Sequence, residues 1–257
     1  MTAKTTVFNT NINSSIEFAS ALKKAFGYAG YSLSEETHSG AITQLDYELS
    51  LDVTTYTLHY RLEIDDSLKI RQLLVKDKNG VNPILSKESA WETYEPGSVV
   101  FNCCSHKELP VVLVSQEGTS DFIVGAVRPY KKEDFWDESI YPFYFVFERG
   151  DTINPGLSSF ASDLSPYGRN SYELQTIAGL HYPSSITQQI DLIAGLYLFS
   201  GNSEGVAGEF SEDVGRFAGH GVKPGNMGTA SPTVRYLFLT AGGTSGIALR
   251  TDYPIEG

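Results

Sequence analysis

The residues best spaced for chemistry are Gly201-Asn202-Ser203-Glu204-Gly205. They fit G-x-S-x-G, in which the glycines let a strand turn sharply into a helix and expose a nucleophilic serine. An apolar stretch ending at Phe199 supplies the strand. The helix is not supported, because residues 206–217 contain Gly208 and Gly215, which weaken helices. A hydrolase of this kind also needs an acid and then a histidine downstream. Asp213 and His220 are the candidates, but His220 stands only seventeen positions after Ser203. That leaves no room for the intervening strands of the fold. The segment is expected to be a polar loop between two strands. A serine hydrolase using Ser203, His220 and Asp213 is the alternative.

Other chemistries have less support. Asp77, Asn79 and Glu88 have the spacing of the first, third and twelfth ligands of a calcium loop. The sixth position, which should be glycine, is Asn82. His38, His59, His106, His181 and His220 are scattered, without the short spacings of a preformed metal site. His59 is expected to be solvated. Acidic pairs occur at Asp65-Asp66, Glu133-Asp134 and Asp137-Glu138. They could serve a glycosidase only if two carboxylates faced each other across a cleft, and a solvated edge is expected instead. Cys103 and Cys104 are adjacent, so no disulfide framework can form within the chain. On a strand they should point to opposite faces, one buried and one at the surface. The expectation is therefore no catalytic residue, no metal and no cofactor.

Aromatic residues are densest at Phe135-Trp136 and over 141–147. That run is apolar on both strand faces. It is either a central core strand or a strand with one face docked on a partner. The interface candidates are Trp136, Tyr141, Phe143 and Phe145. A carbohydrate-binding module using Trp136 or Trp91 is a further alternative.

The elements that must position these groups are mostly strands. One helix is expected over residues 15–26, opened by a Ser14/Glu17 capping box. Phe18, Leu22, Ala25 and Phe26 form its apolar stripe, Lys23 and Lys24 fall in its last turn, and Gly27 stops it. The stripe should pack on a sheet or on a neighbouring subunit. Alternation over 45–53 and 56–64 predicts an antiparallel hairpin turning at Thr54-Thr55. A third strand near 68–75 ends at Asn79-Gly80, a short-turn signal. Many short apolar runs between Gly and Pro follow, and Ile-Ala-Gly-Leu occurs at both 177–180 and 193–196. The expected fold is mainly β, antiparallel, sandwich or barrel-like, with one short N-terminal helix and few others. Residues 1–95 form the helix and hairpin region and 96–257 the rest, with a boundary at Glu95-Pro96-Gly97. The N-terminal residues 1–13 and the tail from Gly242 are read as flexible arms.

With 19 basic against 31 acidic residues the net charge is −12. That disfavours nucleic acid and anionic membranes, both of which need Lys and Arg. No signal peptide or membrane-length apolar run is read, so synthesis in the cytoplasm is expected.

The stretch 141–150, the Gly-rich run 201–225 and the segment 240–246 resemble tailed-bacteriophage virion proteins. So does the general order of capped helix, polar-faced hairpin and Gly/Ser/Thr-rich β segments. The likeness is one of style over most of the chain and fixes no residue. It implies a non-enzymatic structural subunit of a neck, tail, baseplate or fibre-attachment assembly. Such a subunit would be made in a host cytoplasm, reside in the virion, form homo-oligomers and dock other particle proteins.

Overall fold

The computed structural model describes residues 4–50, 57–75, 85–88, 91–108, 110–118, 122–126, 131–132, 144–147, 172–176, 191–193, 196–200, 205–211, 213–218, 227–231, 234–239 and 245–251. The chain runs β1 (Thr5–Ile12), α1 (Ser15–Tyr28), β2 (Ser32–Ser39), β3 (Ile42–Ser50), β4 (Thr57–Asp65), β5 (Lys69–Val75), β6 (Leu85–Glu88) and β7 (Glu92–Thr93). It continues through β8 (Gly97–Ser105), β9 (Pro110–Ser115), β10 (Phe122–Ala126), β11 (Lys131–Lys132), β12 (Tyr144–Phe147), β13 (Tyr172–Thr176) and β14 (Asp191–Ile193). Last come β15 (Leu196–Ser200), β16 (Gly205–Glu209), β17 (Val214–Ala218), β18 (Met227–Ser231), β19 (Val234–Leu239) and β20 (Ser245–Arg250). The mainly β, antiparallel architecture with one N-terminal helix is as the alternation predicts.

Among the described residues four sheets result, in the orders β1-β8-β9-β10-β12, β2-β3-β4-β5-β6 with β7 on β5, β11-β16-β15-β13, and β14-β17-β20-β19-β18. The first two share one core with α1. Ile12, Phe18, Leu22 and Phe26 meet Leu45, Tyr47, Tyr60 and Leu62 on one side. On the other they meet Val99, Phe101, Val112 and Val114. This core draws on residues from both sides of Glu95-Pro96-Gly97. The helix stripe therefore packs on sheets of its own chain.

Glu17 N–H donates to Ser14 Oγ at 3.3 Å, and Glu17 Oε2 accepts from Asn13 N–H at 2.7 Å. This is a capping box with its return bond moved back by one residue. At the other end the expected stop at Gly27 is corrected, because the helix continues to Tyr28. The left-handed residue is Gly30, φ +95°. Tyr31 N–H bonds to Phe26 O and Gly30 N–H to Gly27 O, the paired bonds of a Schellman ending. Lys23 and Lys24 therefore lie a turn inside the end. Lys23 pairs with Glu36 at 2.8 Å, and Lys24 Nζ sits 4.6 Å over the Phe8 ring.

The alternation of β3 and β4 puts Leu45, Tyr47, Tyr60, Leu62 and Ile64 in the core. The opposite face is less wet than expected. Asp46 stands across from Arg61 in register and accepts from its Nε at 2.7 Å and Nη2 at 2.9 Å, which buries the carboxylate. Glu63 likewise faces Arg71 across β4 and β5. The turn at 54–55 and the Asp77/Asn79/Gly80 segment lie outside the described residues.

Two more expectations are corrected. The N-terminal residues are no loose arm, because Thr5–Ile12 pairs along its whole length with β8. Cys103 and Cys104 do point to opposite faces, but both are buried. The middle of that sheet is covered on both sides: Val111, Val112, Leu113 and Val114 are all buried.

Candidate functional site

Ser203 and His220 lie outside the described residues. Their flanks are informative. The strand before the motif is β15, as expected. After it comes not a helix but another strand, β16, paired antiparallel with β15 so that Ser200 stands opposite Gly205. A nucleophile elbow feeds its serine into a helix, and here that position is held by a strand. If the loop were nevertheless a nucleophile, a fluorophosphonate probe would label Ser203. We expect no labelling of the full chain; adduct formation at Ser203, read by peptide mass spectrometry and abolished in Ser203→Ala, would reinstate the hydrolase.

Asp213 is described, and its partners are His106 and Arg250. Its carboxylate lies 3.8 Å from His106 Nε2 and 3.6 Å from Arg250 Nη1. Its backbone oxygen also accepts from Arg250 N–H at 2.8 Å. His106 follows β8 and is buried, as is Glu108 two residues on. Glu108 N–H donates to His106 Nδ1 at 3.1 Å, and Glu108 Oε2 accepts from Ser211 N–H at 2.9 Å. The His106–Glu108 turn of the first sheet is thus tied to the residues that lead into β17.

The hydrogen bonds settle the state of the imidazole. A backbone N–H can only donate, so Nδ1 carries no proton and the neutral ring holds it on Nε2, toward Asp213. Burial lowers the His106 pKa, opposed by the Glu108 and Asp213 carboxylates and assisted by Lys107. The pair resembles the acid–histidine half of a triad, but Nδ1 already accepts from Glu108 N–H, Nε2 carries the proton, and the ring is buried. Nothing remains on it to take a proton from a substrate. Its arrangement suits a cross-tie. Glu108 Oε1 and Ser211 Oγ are buried in these two segments, and Thr251 Oγ1 just after β20, without a hydrogen-bond partner among the described residues. Lys107 Nζ stands 3.7 Å from Glu108 Oε1.

The remaining candidates are accounted for as follows. Burial pushes the Cys104 thiol up to about 12 and that of Cys103 higher still, so neither supplies a thiolate. Asp65 Oδ1 accepts from Ser67 and Lys69 N–H at 2.8 and 2.9 Å, and Asp66 Oδ1 from Ser15 Oγ at 3.0 Å. Asp65 holds its own turn, and Asp66 ties that turn to the start of α1. The other two acidic pairs lie outside the described residues. His38 is exposed beside Thr43 and Glu36. Of the aromatic block, Trp136, Tyr141 and Phe143 lie outside the described residues. Phe145 is in β12, opposite Gly125. That strand ends its sheet in the order above and is not central. Trp91 has one ring face under the Arg71 guanidinium, 4.7 Å from the ring centroid.

Among the described residues no three His, Cys, Asp or Glu side chains are grouped to hold a metal. No described helix is long and apolar enough to cross a membrane. In sequence, His106-Lys107-Glu108 is only a histidine and an acid two positions apart. That spacing was its only local signal.

No protein-family model matches this chain, and no curated protein matches it.

Proposed function

We propose that the chain is a non-enzymatic structural subunit of a virion or phage-tail-like assembly, working by oligomerisation and by docking other particle proteins. One observation carries the reading. The exposed large apolar side chains are partly gathered in one place. Of the five that are described, Val7 (46% exposed), Val100 (37%) and Tyr28 (43%) border the single strand β1. Exposed apolar groups gathered along one edge mark a contact surface. Among the described residues, His106 and Glu108 are by contrast buried and bonded to one another. Mass spectrometry of gradient-purified particles from the organism encoding the chain tests the reading. The chain should co-sediment in fixed proportion to the major particle proteins. Its absence from every particle fraction overturns the proposal.

A further inference from the structure

Among the described residues, β1 is one edge strand of the first of the two sheets that flank α1 and β2 is one edge strand of the second, and these edges are built differently. Strand β2 is guarded: it bears Glu35, Glu36 and His38, and a bulge breaks its register between Leu33 and Glu35. Charges and bulges are how proteins keep edges from pairing with other chains. Strand β1 has neither. Its sequence, Thr-Thr-Val-Phe-Asn-Thr-Asn-Ile, holds no charge and no proline, and its eight rungs to β8 run without a shift.

The parity of β1 fixes what it offers outward. Ser105 N–H donates to Lys4 O at 2.9 Å. In an antiparallel ladder, bonding toward one neighbour falls on alternate residues. Thr6, Phe8, Thr10 and Ile12 therefore bond to β8. Thr5, Val7, Asn9 and Asn11 turn their N–H and C=O groups away from it.

We propose that β1 pairs antiparallel with β1 of a second copy of this chain, joining two five-stranded sheets into one. The inference deepens the assembly reading and rests on it. The occupant is argued from charge and shape. In a chain of net charge −12, β1 itself carries no charge, so no like charges of the strand stand opposite one another; Lys24, whose Nζ lies 4.6 Å over the Phe8 ring, is opposite in sign to the excess of the chain. With the twofold at Phe8, Val7 stands opposite the partner's Asn9 and diagonal to the partner's Val7. That covers the exposed valines on one face. The Phe8 rings meet on the other, beside the half-exposed Tyr28, whose ring lies 5.9 Å from Phe8.

The test uses the parity. Proline removes an N–H, and edge strands accept it where that N–H faces solvent. Asn9→Pro deletes an outward N–H and leaves the bonds to β8 intact, whereas Thr10→Pro deletes one of those bonds. Sedimentation velocity on the full chain should show a concentration-dependent dimer. Asn9→Pro should weaken it at least tenfold with an unchanged melting curve, while Thr10→Pro should lower the melting temperature. If Asn9→Pro does not fold, Val7→Lys, which adds a guarding charge, is expected to weaken the dimer equally. A wild-type chain monomeric at every concentration, or a dimer as tight in folded Asn9→Pro or Val7→Lys as in wild type, overturns the pairing. A monomer still recovered in purified particles would remove self-pairing and leave the assembly reading standing. A parity-sensitive dimer absent from particles would do the reverse.

Discussion

Phe26→Ala is expected to cost about 3–5 kcal/mol of stability, the range for truncating a fully buried phenylalanine. Phe26 is fully buried at the point where α1 meets the hairpin sheet. Its ring stacks on Tyr47 at 4.5 Å and on Tyr60 at 5.7 Å, and meets the edge of Tyr31 at 5.1 Å. Aromatic pairs in such geometries add to the burial they share. The contact with Tyr31 is also the apolar clasp of the helix ending, so truncation loosens the cap as well as the core. The surrounding rings are held elsewhere: Tyr31 Oη donates to Pro110 O, and the β3–β4 ladder fixes Tyr47 opposite Tyr60. They cannot collapse far into the space left behind, which places the cost toward the upper part of the range. Urea denaturation followed by circular dichroism reads it, with Ile16→Ala as control. Ile16 is 74% exposed and should change stability by less than about 0.5 kcal/mol. A loss below about 1 kcal/mol at Phe26 would mean that the aromatic cluster is not the centre of this core.

The same cluster shows where a sequence can be read and where it cannot. Phe18, Leu22, Ala25 and Phe26 fall at helical spacing, and Leu45, Tyr47 and Leu49 alternate. Burial imposes both patterns directly on residue type, so both are visible without coordinates. Strands β1 and β2 were hidden for the opposite reason. Strand β2 is exposed along nearly all its length, so no core selects an apolar alternation. Strand β1 alternates exposed with half-buried positions filled by Thr and Asn, which read as loop. The helix stop is ambiguous in sequence because Gly27 and Gly30 are both glycines near the end, and only the backbone angle separates them. Burial of both cysteines was hidden because it needs cover on both faces of their sheet, a tertiary fact. The His106–Asp213 contact joins positions 107 apart (213 − 106), and no local pattern encodes that approach. Asp213 was singled out for a triad with Ser203, and its real partners are His106 and Arg250.

That cross-tie should make the fold sensitive to mild acid. Above pH 6.5, the ordinary imidazole value, neither the folded nor the unfolded chain protonates His106, and the contribution of the tie is fully present. Burial first of all holds the folded value below that of the unfolded chain, against the pull of Glu108 and Asp213. As the pH falls below 6.5 the unfolded chain takes up the proton first. Stability then drops by up to about 1.4 kcal/mol per pH unit for a single proton, until the folded-state value is passed. The bonding gives the same sign independently. A proton arriving on Nδ1 meets the Glu108 N–H, donor against donor, and the bond at 3.1 Å must break. The Glu108 turn would then loosen its hold on Ser211 N–H, and with it the attachment of the β17 end to the first sheet. His106→Asn is the comparison, because its side-chain oxygen can accept from Glu108 N–H but does not titrate. Between pH 7.5 and 5.5 the wild type should lose more stability than the variant. In the wild type, the protection factors of the Glu108 and Ser211 amides, corrected for the slower intrinsic exchange at lower pH, should fall over the same interval. Parallel pH profiles in the two proteins would show that the imidazole carries no proton linkage. A Glu108 amide still protected after His106 has protonated, followed by NMR, would show that the tie holds by some other bond.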